Sequence, residues 1–169
     1  MARSRRQTRF DPYEVFHALD RERVAYVLIG GLARVLEGSD EITRGIDLTP
    51  SMRPENLRRL ESALDGLDAR PDTGGGTLSL EPLDHTPVLE LDSDHGEIKL
   101  VRQPEGTRGY DDLRRAARRE PIGQGLRIPV ASPGDLVRML SALGREPDEL
   151  KIETMRRVAE LDRGLVIER

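Results

Sequence analysis

Val24-Ala25-Tyr26-Val27-Leu28-Ile29 is a nearly continuous apolar run, and Gly30-Gly31 follows it directly. A short apolar run closed by a turn signal predicts a strand buried on both faces. Leu32 to Leu36 then opens a short helix, which Gly38 stops. A strand, two glycines and a helix start form a geometry in which backbone N–H groups can approach an anion closely. Taken alone, Gly30-Gly31 also fits an ordinary tight turn from strand to helix.

The rest of the chain sorts around that unit. Residues 1–10 read as a basic arm, with Arg3, Arg5, Arg6 and Arg9 and no acid in the first nine positions. Asp11-Pro12 has the form of a helix N-cap followed by proline at the first helical position. Ile46-Asp47-Leu48 reads as a short second strand ended by Pro50. Pro54 to Leu67 has apolar residues at helical spacing. Pro71 to Gly76 reads as a loop, and Leu78 to Leu80 as a candidate strand. Residues 88–92 and 97–101 pattern as a hairpin turning at Ser93-Asp94-His95-Gly96. Helices are expected over Tyr110–Arg119, Pro133–Leu143 and Asp148–Leu161. The expected organisation is therefore an arm (1–10), an α/β core with a mixed sheet flanked by helices (11–105), and a C-terminal helical extension (106–169) packed on it.

Composition narrows the chemistry. The chain has no cysteine, which removes disulfides, thiolate metal sites and a cysteine nucleophile. Aromatics are 3%, so the core must be aliphatic. The net charge of −4 does not advertise nucleic-acid binding. Arg114, Arg115, Arg118 and Arg119 would share one helix, either as a solvated, ion-paired face or as a contact for RNA phosphates. His17, His85 and His95 do not fall at metal-ligand spacing. No apolar run approaches the roughly 18 residues of a membrane span. No apolar segment follows the basic start, so a cytoplasmic protein is expected.

Several landmarks occur in order: Tyr26 through Ala33, Gly38, Thr43-Arg44-Gly45-Ile46-Asp47-Leu48, Asn56-Leu57 and Ala63-Leu64, Gly96 through Leu100, Pro104-Glu105-Gly106, and Asp135-Leu136 with Arg145 and Asp148. Together they resemble the minimal nucleotidyltransferases of the AbiEii and MenT toxin group. The resemblance implies a nucleotidyltransferase-type α/β fold, a nucleoside triphosphate as substrate and Mg²⁺ as cofactor. It also implies transfer to a tRNA end or a protein hydroxyl, and a cognate antitoxin as partner. By the same resemblance, Gly30, Gly31, Thr43, Lys99 and Asp148 would contact the nucleotide. Asp47 would hold metal, and Glu97 would stand in for a further acid.

The sequence departs from that pattern where the chemistry is most exacting. The family's paired acids read Gly45-Ile46-Asp47, so the first carboxylate is missing. Lys99 stands where a third acid is usual, and Leu140 where related toxins carry lysine. One carboxylate is a poor seat for Mg²⁺, so weak or absent metal binding is expected. Two functional readings follow, an active toxin with an atypical acidic motif or an inactive relative that binds nucleotide, RNA or protein. The chain as a plain scaffold is the third. Gly45→Asp is expected to rebuild the paired ligands and restore nucleotidyl transfer and toxicity, without loss of stability unless Gly45 needs a positive φ.

Overall fold

The computed structural model describes residues 9–72 and 76–167; most of the expected arm, Arg3, Arg5 and Arg6 included, lies outside them. Helix α1 (Pro12–Arg21) begins as its sequence predicts, with the Asp11 carboxylate accepting from the Tyr13 N–H at 3.2 Å and Pro12 in first position. Strand β1 (Tyr26–Ile29) follows, buried along its whole length. Helix α2 (Gly30–Leu36) leads through a loop into β2 (Gly45–Pro50), and α3 (Pro54–Gly66) packs its Leu60, Ala63 and Leu64 inward. A short β3 (Arg70–Pro71) precedes the hairpin β4 (Val88–Ser93) and β5 (Gly96–Val101). One turn of helix, α4 (Tyr110–Leu113), is followed by β6 (Arg118–Gly123), β7 (Leu126–Val130), α5 (Pro133–Leu143) and α6 (Glu149–Ile167).

Among the described residues the strands form one sheet in the order β3-β4-β5-β2-β1-β7-β6. The pairs β2–β5 and β1–β7 are parallel and the others antiparallel. β1 and β2 pair with Ile29 opposite Asp47. The core is aliphatic as expected, with Leu28, Leu48, Leu60, Leu64, Ile98 and Leu100 fully buried. Phe16 stacked on Tyr26 is the aromatic exception. Asn56, buried at the start of α3, accepts from the Ala25 N–H at 2.7 Å and donates to the carbonyls of Ala25 and Ser51. It satisfies backbone groups where β1 begins and β2 ends, which a buried polar side chain must do to offset its desolvation.

The chain differs from the sequence reading in three places. Tyr110–Arg119 is not one helix: α4 stops at Leu113, and Arg118 opens β6. The four arginines therefore make no common stripe. Arg114 pairs with Asp111, Arg118 with Asp162 of α6, and Arg119 donates to the Arg127 carbonyl. Leu78 to Leu80 is not a strand, although Leu78 and Leu80 are buried. Finally, the segment 106–169 is not purely helical, because its β6–β7 hairpin extends the sheet past β1. Alternation at Leu126, Ile128 and Val130 carried that signal, and Gly123-Gln124-Gly125 marked the turn. Pro121 and Pro129 obscured it, since proline removes a ladder donor.

Candidate functional site

The first glycine after β1 is packed against Asp47. Gly30 has φ +74°, and a Cβ on it would lie 2.3 Å from Asp47 Oδ2. No side chain fits between β1's end and that carboxylate. A Cβ at Gly31 would meet Thr43 Oγ1 at 3.5 Å and Arg34 Nη2 at 3.8 Å. The Thr43 hydroxyl donates to the Gly45 carbonyl at 3.0 Å, which ties the α2–β2 loop to the start of β2. Gly30, Gly31, Thr43 and Asp47 therefore come together where β1 ends beside β2, in the interior of the sheet.

Strand pairing extends the group across the sheet. Residues in register on neighbouring strands share a face, and so do residues two apart on one strand. Asp47 is opposite Lys99, and Lys99 is opposite Glu90. One row therefore runs Glu90, Lys99, Asp47 across β4, β5 and β2. The next row runs Asp92, Glu97, Gly45. Lys99 Nζ lies 3.7 Å from Glu90 Oε1, with both side chains about half exposed. Glu97 is exposed, on the same face as Asp47. Burial raises the Asp47 carboxyl above its ordinary value; Lys99 and Arg34 pull it back, and Glu90 and Glu97 add to the rise.

Position 45 does not behave as expected. Gly45 has no positive φ, yet a Cβ there would sit 2.9 Å from the Glu97 carbonyl oxygen and 3.3 Å from its Cβ. The obstacle is backbone of the paired strand, so a side chain at 45 requires β2 and β5 to move apart. The expectation that Gly45→Asp is free of cost is overturned.

Asp148 lies just before α6 rather than on the sheet. It is buried, takes an ion pair from Arg145 at 2.6 Å and faces Lys151 at 3.6 Å. Lys151 also reaches Glu41 at 3.4 Å, and Glu41 is held by Arg34 through two contacts of 2.7 and 2.9 Å. A continuous ion-pair chain thus joins α6 to α2 beside Gly31. Burial would raise Glu41, but hydrogen bonds from Arg34 and Ser39 override it and bring the carboxyl down to about 2.

Glu41, Arg34 and Lys151 were not singled out from the sequence, because partners this far apart leave no local pattern. Glu90 was readable in principle: a turn with Ser93 opposite Gly96 forces Glu90 opposite Lys99. Leu140, at the position where related toxins carry lysine, is buried on α5. An open cleft of about 370 Å³ lies between Gly106–Arg108, α4 and Arg138, and none of the residues named for the site lines it.

The donor set does not suit the Mg²⁺ that the fold's enzymes imply. Among the described residues no three acid or histidine side chains are grouped to hold a metal ion. Asp47 offers a single carboxylate with an ammonium in the next register position. The Lys99 ammonium opposes a second cation beside Asp47, although Glu90 neutralises part of its charge.

The fold is that of the nucleotidyltransferases. Solved structures sharing it include the lincosamide antibiotic adenylyltransferase LnuA bound to lincomycin (18% identity, 89% of this chain and 99% of that one, TM-score 0.59). The antibiotic-resistance factor ANT(2'')-Ia aligns over 88% of this chain and 80% of its own at 15% identity and TM-score 0.57. The Thermotoga maritima protein TM1012, a nucleotidyltransferase by assignment, aligns over 98% of this chain and 100% of its own at 19% identity and TM-score 0.53. No family model matches the chain, and neither does any curated protein sequence.

Proposed function

We propose that this chain is a nucleotide-binding protein of the nucleotidyltransferase fold whose transfer activity is impaired. The observation that carries the reading is the contrast where β1 ends beside β2. The Gly30–Gly31 turn closes on Asp47, as a phosphate-approach turn beside a carboxylate would. The first carboxylate of the pair has no room at Gly45, and Lys99 takes the place of the third acid. Gly30, Gly31 and Thr43 would face the phosphates, with Asp47 and Glu97 beside them. Asp148 would act from the ion-pair chain rather than by touching the nucleotide.

The role as a toxin that modifies tRNA or protein, opposed by an antitoxin, rests on the sequence resemblance of the ordered landmarks from Tyr26 to Asp148. The acceptors bound by the structural neighbours are antibiotics, lincomycin for LnuA and an adenylylated tobramycin for ANT(2'')-Ia. The deciding experiment gives the protein each labelled nucleoside triphosphate with total RNA, total protein, lincomycin and tobramycin in turn. Saturable binding with no label above background in any acceptor is expected. Label in RNA or protein establishes the active toxin instead, label in an antibiotic establishes a resistance enzyme, and absence of any nucleotide binding rejects the reading.

A further inference from the structure

The mismatch between the site and a divalent metal is itself informative. Lys99 is central to its row: Asp47 of β2 is its register partner on one side and Glu90 of β4 on the other, and Glu97 lies two residues back on its own strand. Its ammonium already pairs with Glu90. In a site of this fold that face is where a cation has to sit between protein carboxylates and a ligand's phosphates. Here the chain supplies the cation covalently.

We infer that Lys99 replaces the divalent metal of this site, so that phosphate-bearing ligands bind without Mg²⁺ and free metal is excluded. The inference rests on the proposed nucleotide binding for its ligand and on the strand register for its geometry. Lysine holds phosphate as a point charge through a mobile ammonium. It carries one charge where a metal carries two, and it keeps no open coordination position for a reacting oxygen. The same substitution that admits a phosphate therefore withholds the group that would polarise it, which is consistent with binding without efficient transfer. The neighbouring charges support this division. Arg34 is committed to Glu41, and Lys151 is shared between Glu41 and Asp148, whereas Lys99, the register partner of Asp47, is engaged through a longer pair of 3.7 Å with Glu90.

Two measurements on the full chain test it. The first follows binding of fluorescent ATP and GTP in excess Mg²⁺ and in EDTA. Affinity is expected to agree within about twofold, and Lys99→Gln to weaken it about tenfold in both conditions, the loss of one charge-assisted hydrogen bond. The second follows Mn²⁺ by electron paramagnetic resonance with no nucleotide present. The protein is expected to leave Mn²⁺ free, and Lys99→Asp, which places a carboxylate opposite Asp47, is expected to bind it. Lys99 is half exposed, so both variants should keep their thermal transition. Nucleotide binding that collapses in EDTA, or Mn²⁺ held by the unaltered protein, overturns the inference. If no nucleotide binds in either condition, the proposed function fails, while the Mn²⁺ measurement still decides whether Lys99 excludes metal.

Discussion

Glu41→Gln tests whether the ion-pair chain between α2 and α6 holds the fold together. Glu41 and Arg34 are 14% and 12% exposed, and their two contacts are bidentate. Removing the charge leaves the Arg34 guanidinium mostly buried and unneutralised, and it costs Lys151 one of two carboxylate partners. Breaking a buried pair from one side costs about 3–5 kcal/mol. The glutamine can still accept one hydrogen bond, and Lys151 keeps Asp148, so we expect about 2–4 kcal/mol. That is a large share of the roughly 5–15 kcal/mol available to a domain. With a urea dependence of about 2 kcal/mol/M, the midpoint should fall by about 1–2 M at unchanged slope. Amide exchange should rise first in α6. Glu55→Gln breaks the pair with Arg59, whose side chains are 72% and 45% exposed, and it should cost less than about 0.5 kcal/mol. A Glu41→Gln midpoint indistinguishable from that control would refute the reasoning.

Three further outcomes follow from the same geometry. Gly30→Ala should lose about 2–4 kcal/mol, from its positive φ and the overlap with Asp47. The loss should shrink in an Asp47→Ala background, and thermal denaturation of the four proteins shows whether it does. Gly45→Asp should destabilise by about 1–3 kcal/mol and restore no transfer, because the Glu97 carbonyl must retreat; calorimetry with a labelling assay checks both. The pH profile should carry two opposed signatures. Glu41, lowered to about 2, contributes stability above about pH 4.5 that is lost as pH falls toward 2. Glu37 is raised to about 7 by burial and by Glu120, against Arg118, with Asp162 adding to the rise. Its folded form holds the extra proton, so stability should decline as pH rises from about 4.5 to about 7. Glu37→Gln should flatten that decline alone, as read by urea midpoints at each pH.

What the sequence disclosed follows the range of each interaction. β1, the Gly30-Gly31 turn, α3 and the β4–β5 hairpin are local, and periodicity or turn chemistry marks them. The short α4 and β6 were lost to one another because residues 110–119 carry charges at helical spacing. The ladder that makes 118–123 a strand depends on β7, and one proline in each strand, Pro121 and Pro129, disguises the pair. At the site, Asp47 and Lys99 were readable as departures from a pattern, but their being side by side is a fact of strand register. The steric reason for glycine at 45 was invisible, because the obstructing carbonyl belongs to Glu97, far away in the chain. The Arg34–Glu41–Lys151–Asp148 chain was equally hidden, since it exists only once α6 is in place.

The seat of β1 between β2 and β7 also bears on how the protein is made. β1 is buried throughout, yet its parallel neighbour is supplied about a hundred residues later, with Leu28 beside Val130. A nascent chain ending before β7 holds β1 with one open edge, the kind of unpaired apolar strand that invites other chains. Closing a loop that long is slow. A fragment stopping near residue 105 should therefore aggregate rather than stand as a smaller domain, and the interval between synthesis of residues 29 and 130 is when this protein most needs a chaperone.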